Sequence, residues 1–199
     1  MFGLPQSTEV RRPLPKAQLY KKFELKQSQR DAVDTDIARL DFVYRIAPQT
    51  MPVIAEGANV KAIFIVEVEL KRPDYDKKSI ALIAKLIPQQ IIFALRYGGK
   101  VQLAVYHTKL FTGDWQSSDD TNIPLVGLTL DAVWQNMVAT IGAMDIAEGN
   151  TLTEQIVADD AHAKLMKQIE QLEKRCRTEK QPRKKLDLFE KLKELKSKL

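Results

Sequence analysis

Three residues at the end of one apolar stretch have the types and the spacing that metal-assisted hydrolysis uses. In Phe64-Ile65-Val66-Glu67-Val68-Glu69-Leu70-Lys71, the residues Glu67, Glu69 and Lys71 alternate with apolar ones. Strand side chains alternate between faces, so the spacing places all three on one side. Two carboxylates can hold Mg²⁺, and an ammonium beside them can orient water toward a phosphate. A further acid on a neighbouring strand would complete the set, and Asp41 is the natural candidate. The same face also reads as a salt-bridged solvent surface, because cross-strand charge pairs need no function.

The acid-x-Lys ending is similar to that of PD-(D/E)XK-type nucleases, and Asp41, Glu67, Glu69 and Lys71 would then form a divergent Mg²⁺-dependent site. Such triplets are common by chance, so the leading expectation is a non-enzymatic protein without metal or cofactor, with Mg²⁺ only in the alternative. His107 and His162 are the only histidines, and neither has a second His or a Cys at ligand spacing. Cys176 is the only cysteine, which excludes an intrachain disulfide, and its place on a helical seam reads as packing. Asp114, Trp115, Asp119 and Asp120 lack the alternating acids and terminal Glu of a calcium loop. Neither a phosphate-binding G-x-x-x-x-G-K-[ST] nor a dinucleotide-binding G-x-G-x-x-G occurs.

A second group could bind rather than react. Lys174, Arg175, Arg177, Lys180, Arg183, Lys184 and Lys185 fall within twelve residues. Cations converging there could grip a nucleic-acid backbone or an acidic partner surface. Phe189 is the nearest aromatic, so stacking on single-stranded bases has no support. A well-solvated helical tip is the competing reading.

Each group needs an element to hold it. Leu165, Ile169, Leu172 and Cys176 recur at coiled-coil spacing, and Leu188, Leu192, Leu195 and Leu199 repeat it. Pro182 lies between the two seams and is costly inside a helix, so the chain should turn near Glu179–Pro182 into an antiparallel hairpin, a continuous helix kinked at Pro182 being the alternative. The hairpin arms are short, so Leu165, Ile169, Leu172, Leu188, Leu192 and Leu195 are expected to form an interaction seam for a partner or a second copy. Gly149-Asn150 marks its boundary.

Upstream, strands are expected at 40–46 and 60–70, and a pair at 91–96 and 101–107 around Gly98-Gly99. Helices are expected from Ser28 to Ala38, from Asp74 to Leu86 and from Leu130 to Met144, with Thr129 capping the last and Leu128 stapling onto Val133. Residues 108–127 read as a polar loop. Pro5, Pro13 and Pro15 among basic residues make 1–26 a basic, proline-containing arm. The expected organisation is this arm, an α+β domain over 27–148 and a basic helical hairpin over 151–199. The fold class is α+β, with a mostly antiparallel sheet and packed helices.

Charge follows the same division. Residues 1–26 carry six Lys/Arg against two acids, 27–161 carry 12 against 18, and 162–199 carry 13 against six. An acidic body between basic ends suits a protein that meets nucleic acid or an acidic partner. No apolar run approaches the ~20 residues of a membrane span, and the opening residues lack the order of a signal peptide. The cytoplasm is therefore expected and a membrane partner is not.

Four segments carry a family resemblance: Met1-Phe2-Gly3-Leu4-Pro5-Gln6-Ser7-Thr8-Glu9-Val10, the strand from Phe64 to Lys71, Ile87-Pro88-Gln89-Gln90-Ile91-Ile92-Phe93, and Leu128-Thr129-Leu130-Asp131-Ala132-Val133-Trp134. The chain resembles the bacterial family named domain of unknown function 4391 over nearly its whole length. The resemblance implies an accessory subunit of a restriction-like phage-defence system, acting beside a helicase or methyltransferase. It brings no catalytic residues. The expected function is a non-catalytic binding subunit of a DNA-processing assembly, with possible duplex DNA contact. The Mg²⁺-dependent nuclease and a homo-oligomeric scaffold without nucleic-acid contact are the alternatives.

Overall fold

The computed structural model describes residues 2–147 and 151–197. The expected boundary at Gly149-Asn150 and the seam position Leu199 lie outside them. The chain divides into two compact units, Met1–Asp145 and Ile146–Leu199. The first holds β1 (Glu9–Pro13), α1 (Lys16–Lys22), α2 (Gln27–Asp36), β2 (Ile37–Ile46), β3 (Ile63–Leu70), α3 (Lys77–Leu86), β4 (Gln90–Tyr97), β5 (Lys100–Tyr106), β6 (Leu110–Ser117) and α4 (Leu130–Gly142). The second holds α5 (Leu152–Thr178) and α6 (Pro182–Lys196).

The six strands form one sheet in sequence order. Every neighbouring pair is antiparallel except β3 and β4, which run parallel because α3 carries the chain back between them. The α+β class and the mostly antiparallel sheet are as the sequence reads. Alternation along β3 explains the layering. Val66, Val68 and Leu70 share a core with Val33 of α2, Ile80 and Ile83 of α3, and Phe93 and Leu95 of β4. The opposite face buries Ile63, Ile65 and Ile92. α4 covers that face at β5 and β6, where Met137 and Ile141 meet Val101 and Leu103 across a cleft. The other end of the same face carries Glu67 and Glu69.

The Gly98-Gly99 turn joins β4 to β5 with φ of 54° and 78°. Both values suit a two-residue hairpin turn, and no other residue adopts the pair as easily.

Several elements differ from the sequence reading. Residues 1–26 are no arm: they supply β1, which pairs with β2, and α1. The three prolines are tolerated because Pro5 and Pro15 precede helical turns, where no N–H is needed, and Pro13 ends an edge strand. Phe2 and Leu19 are buried there, and Phe2 meets Tyr44 edge to face at 6.1 Å. Residues 110–117 form β6 rather than loop, its weak strand formers being held by the β5 ladder. The cap of α3 is Asp76, whose side chain accepts the Lys78 N–H at 2.9 Å, not Asp74. α2 ends at Asp36, two residues before Ala38, and α4 ends at Gly142 because Ala143 turns to φ 48°. Thr129 caps α4 as expected, but Leu128 is 83% exposed and staples nothing.

α5 and α6 form the expected antiparallel hairpin, with the turn at 179–181 and Pro182 in the first turn of α6, where its missing N–H costs nothing. Thr151 and Glu154 form a reciprocal capping box at the start of α5. Ile169 and Leu192 are buried, and Leu165, Leu172, Leu188 and Leu195 are half-buried. The two seams thus pack against each other within the hairpin, four of the six residues only in part.

Candidate functional site

The charged end of the sheet gathers residues from three strands. Register places Asp41 directly opposite Glu67 and Arg39 opposite Glu69, while Arg96 of β4 stands beside Glu69. Directly opposed side chains on antiparallel strands lie close together, so two facing carboxylates repel unless cations intervene. Cations do intervene. The Arg39 Nε–Asp41 Oδ2 distance is 2.6 Å, and Arg96 Nη1 donates to Glu67 Oε1 at 3.1 Å. Asp41 and Glu67 keep only 16% and 22% of their side-chain surface, so these are partly shielded pairs. They line a shallow cleft of about 290 Å³ with Glu9 and Arg11, which pair with each other.

Lys71 does not join them. β3 ends at Leu70, and the Lys71 N–H donates to the Asp36 carbonyl at 2.8 Å. Its Nζ donates to the Asp34 carbonyl. Both acceptors belong to the last turn of α2, where carbonyls lack helical partners and the dipole attracts a cation. The structure thus brings Asp41, Glu67 and Glu69 to one face and turns Lys71 from them to the end of a helix. Asp41 and Glu69 stand on a diagonal rather than opposite each other.

This arrangement does not fit Mg²⁺. Two of the three acids are already held by guanidinium groups, and the water-orienting lysine is elsewhere. Among the described residues, no group of three or more His, Cys, Asp or Glu is placed to hold a metal ion. Arg39 and Arg96 are the residues that the sequence reading missed. Arg39 was findable, since two positions before Asp41 on a strand means the same face. Arg96 required the parallel β3–β4 pairing, which no local pattern encodes.

The remaining candidates separate. His107 is half-buried just past β5, and burial lowers its pKa. His162 is exposed on α5. Cys176 is half-buried on the hairpin seam, its Sγ 3.9 Å from the Lys185 carbonyl. Asp114 and Trp115 lie on β6, and Asp119 and Asp120 in the turn after it.

The hairpin tip keeps its cations together. Lys174, Arg175, Arg177, Lys180, Arg183, Lys184 and Lys185 are all exposed and surround the 179–181 turn. Lys174 pairs with Glu170 at 2.7 Å on the same helix. None of the other six forms an ion pair among the described residues. Glu179 is the one acid between residues 174 and 185, and its carboxyl is held below the usual range, first by the Gln181 N–H, then by the Lys180 N–H and the nearby charges of Lys184 and Arg175. The tip can meet a polyanion without first breaking a network.

The geometry defines a mixed α+β protein with a C-terminal basic helical hairpin, and no helix among the described residues is long and apolar enough to cross a membrane. The chain belongs to the family described as Domain of unknown function (DUF4391), whose model matches residues 2–199. No curated protein and no solved structure matches the chain.

Proposed function

We propose that this chain is a non-catalytic binding subunit of a bacterial DNA-processing assembly of the restriction-like, phage-defence kind, working in the cytoplasm. The observation that carries the reading is the hairpin tip, where six exposed cations have no ion-pair partner among the described residues. Such a cluster contributes through counterion release on binding a phosphate backbone and reads no sequence. The body supports binding over catalysis, because two of the three carboxylates at the sheet end, Asp41 and Glu67, are paired with Arg39 and Arg96. A helicase or methyltransferase subunit would supply the chemistry. The test is duplex binding measured across a salt series, for the full chain and for a variant with Arg183, Lys184 and Lys185 changed to Gln. Salt-dependent binding that weakens in the variant supports the reading. A full chain that binds no duplex at low salt leaves an acidic protein surface as the target of the tip, or a scaffold without nucleic-acid contact.

A further inference from the structure

We propose that the hairpin pairs with the hairpin of a second copy of this chain, antiparallel, through the flank that carries Met166, Leu186 and Phe189. The seam positions fix the two flanks. A residue one place after a seam position lies about 100° round the helix, and in an antiparallel pair such residues from both helices fall on one side. The Glu173–Lys196 ion pair, 2.7 Å across α5 and α6, joins two of these positions. Met166 follows Leu165, Phe189 follows Leu188, and Leu186 follows Lys185, whose carbonyl faces Cys176. All three large apolar side chains therefore share one flank, 47%, 56% and 59% exposed for Met166, Phe189 and Leu186. Positions one before the seam, such as Gln168, Gln171, Asp187, Lys191 and Glu194, are all polar. One side of the hairpin is solvated, and the other sets these apolar side chains among Glu170, Glu173, Arg177, Lys193 and Lys196.

That mixed flank also holds a groove between Ala163, Met166 and Ile169, bordered by Lys167, Glu170, Glu173 and Lys196. It lies toward the base of the hairpin, while Leu186 and Phe189 lie toward the tip. Antiparallel pairing about a two-fold axis lets the tip residues of each copy enter the groove of the other, the self-complementary arrangement of an isologous dimer. Two hairpins paired so make a four-helix bundle.

Charge selects the occupant and its direction. Residues 151–163 carry Glu154, Asp159 and Asp160 and no Lys or Arg, whereas 174–185 carry seven Lys/Arg and one acid. The start of α5 is therefore acidic and the tip basic, while the end of α6 carries Lys191, Lys193 and Lys196 against Glu190 and Glu194. Antiparallel copies set opposite charges together, and parallel copies would set tip against tip. The pairing itself does not rest on the DNA reading.

The test is the mass of the full chain by sedimentation velocity over a concentration series, beside Phe189→Asp, Leu186→Ser and, on the solvated flank, Gln171→Glu. The altered residues are exposed, and far-UV circular dichroism checks that the variants fold. The expected result is a concentration-dependent dimer whose dissociation constant rises about tenfold or more in Phe189→Asp, as at an apolar anchor, and stays unchanged in Gln171→Glu. Direction is read from disulfides in a Cys176→Ser background: a mixture of Leu186→Cys chains with Met166→Cys chains should cross-link between the two types. A monomer at every concentration, a dimer indifferent to Phe189→Asp, or cross-links only between two Leu186→Cys chains would overturn the proposal. The Arg183, Lys184 and Lys185 variant should still dimerise, and the Phe189→Asp monomer should keep its salt-dependent duplex binding, so the two readings fail separately.

Discussion

Asp41 faces Glu67 across the β2–β3 ladder, and each carboxylate is held by its own arginine: Arg39 two residues away on the same strand, and Arg96 from the parallel neighbour β4. The pairing neutralises Asp41 and Glu67 and leaves Glu69 as the exposed acid of that face. Removing Arg96 should leave two opposed carboxylates with one cation between them. Both partners keep some solvent, so the expected loss for Arg96→Ala is modest, about 0.5–1 kcal/mol. Denaturant midpoints should show that loss at neutral pH, and adding Glu67→Gln to Arg96→Ala should recover part of it. A double variant no more stable than Arg96→Ala would mean that the two groups are not coupled.

The same geometry predicts silence in a nuclease assay. Plasmid, linear duplex and single-stranded DNA should all survive incubation with the isolated protein in Mg²⁺ or Mn²⁺. A cluster that neutralises its own acids cannot also give them to a divalent ion without breaking its ion pairs. Cleavage that vanishes in Glu69→Ala and persists when the hairpin is deleted would restore the catalytic reading.

What the sequence disclosed and what it hid divide along one physical line. Patterns set by neighbours in the chain were readable: the alternation of β3, the Gly98-Gly99 turn, the Thr129 cap, and the two leucine seams parted by Pro182. Features set by distant partners were not. Val10 and Arg12 become strand only because β2 offers an open edge, and Thr112 and Asp114 only because β5 does. Lys71 looked like part of Glu67-x-Glu69-x-Lys71 because period 2 holds along a strand. The strand stops at Leu70, and the unsatisfied end of α2 competes successfully for the ammonium.

Asp36 should govern part of the acid stability. It is almost fully buried, and its oxygens accept from Arg72 Nε at 2.8 Å, the Asp76 N–H at 3.0 Å and the Ser79 hydroxyl at 2.9 Å. Burial alone would raise its pKa. The Asp76 N–H, Arg72 and Ser79 together outweigh burial and hold the carboxyl below the usual range. A carboxylate depressed in the folded state stabilises above its unfolded pKa, and that contribution fades as pH falls through the folded value. Asp36→Asn should therefore cost about 2–3 kcal/mol at neutral pH. The gap between variant and wild type should narrow in acid, below the ordinary carboxylate pKa. A gap constant with pH would show that shape, not charge, sets the cost.

For the hairpin tip the expected change is one of slope. Replacing Arg183, Lys184 and Lys185 with Gln should flatten the plot of log affinity against log salt by about 0.9 per lost phosphate contact. Unrelated duplexes should bind alike in both proteins, because phosphate contacts carry no sequence. A variant with an unchanged slope would place the contact elsewhere.

The last prediction concerns how the loop before β3 is fixed to α4. Asp131 lies in the first turn of α4 and accepts three consecutive backbone N–H groups: Ala58 and Val60 at 2.7 Å each and Asn59 at 3.2 Å. Burial works against the charged form, but the N–H groups of Val60, Asn59 and Ala58, with Lys61 nearby, lower the pKa overall. The carboxylate also sits at the positive end of the α4 dipole. Asp131→Ala removes these contributions, yet water can reach Ala58 and Asn59, so a cost of about 1–2 kcal/mol is expected. Asp131→Asn keeps one acceptor oxygen and should cost less. Gly57 supplies the second half of the clamp. A Cβ there would lie 2.6 Å from Asp131 Oδ1 and 2.8 Å from the Asp131 backbone nitrogen. The side-chain clash disappears when Asp131 is truncated, whereas the backbone clash does not. Gly57→Ala should therefore destabilise both backgrounds, and less so in Asp131→Ala than in wild type. Equal costs in the two backgrounds, read from a double-mutant cycle of unfolding free energies, would show that the side chain yields freely and that only backbone approach requires glycine.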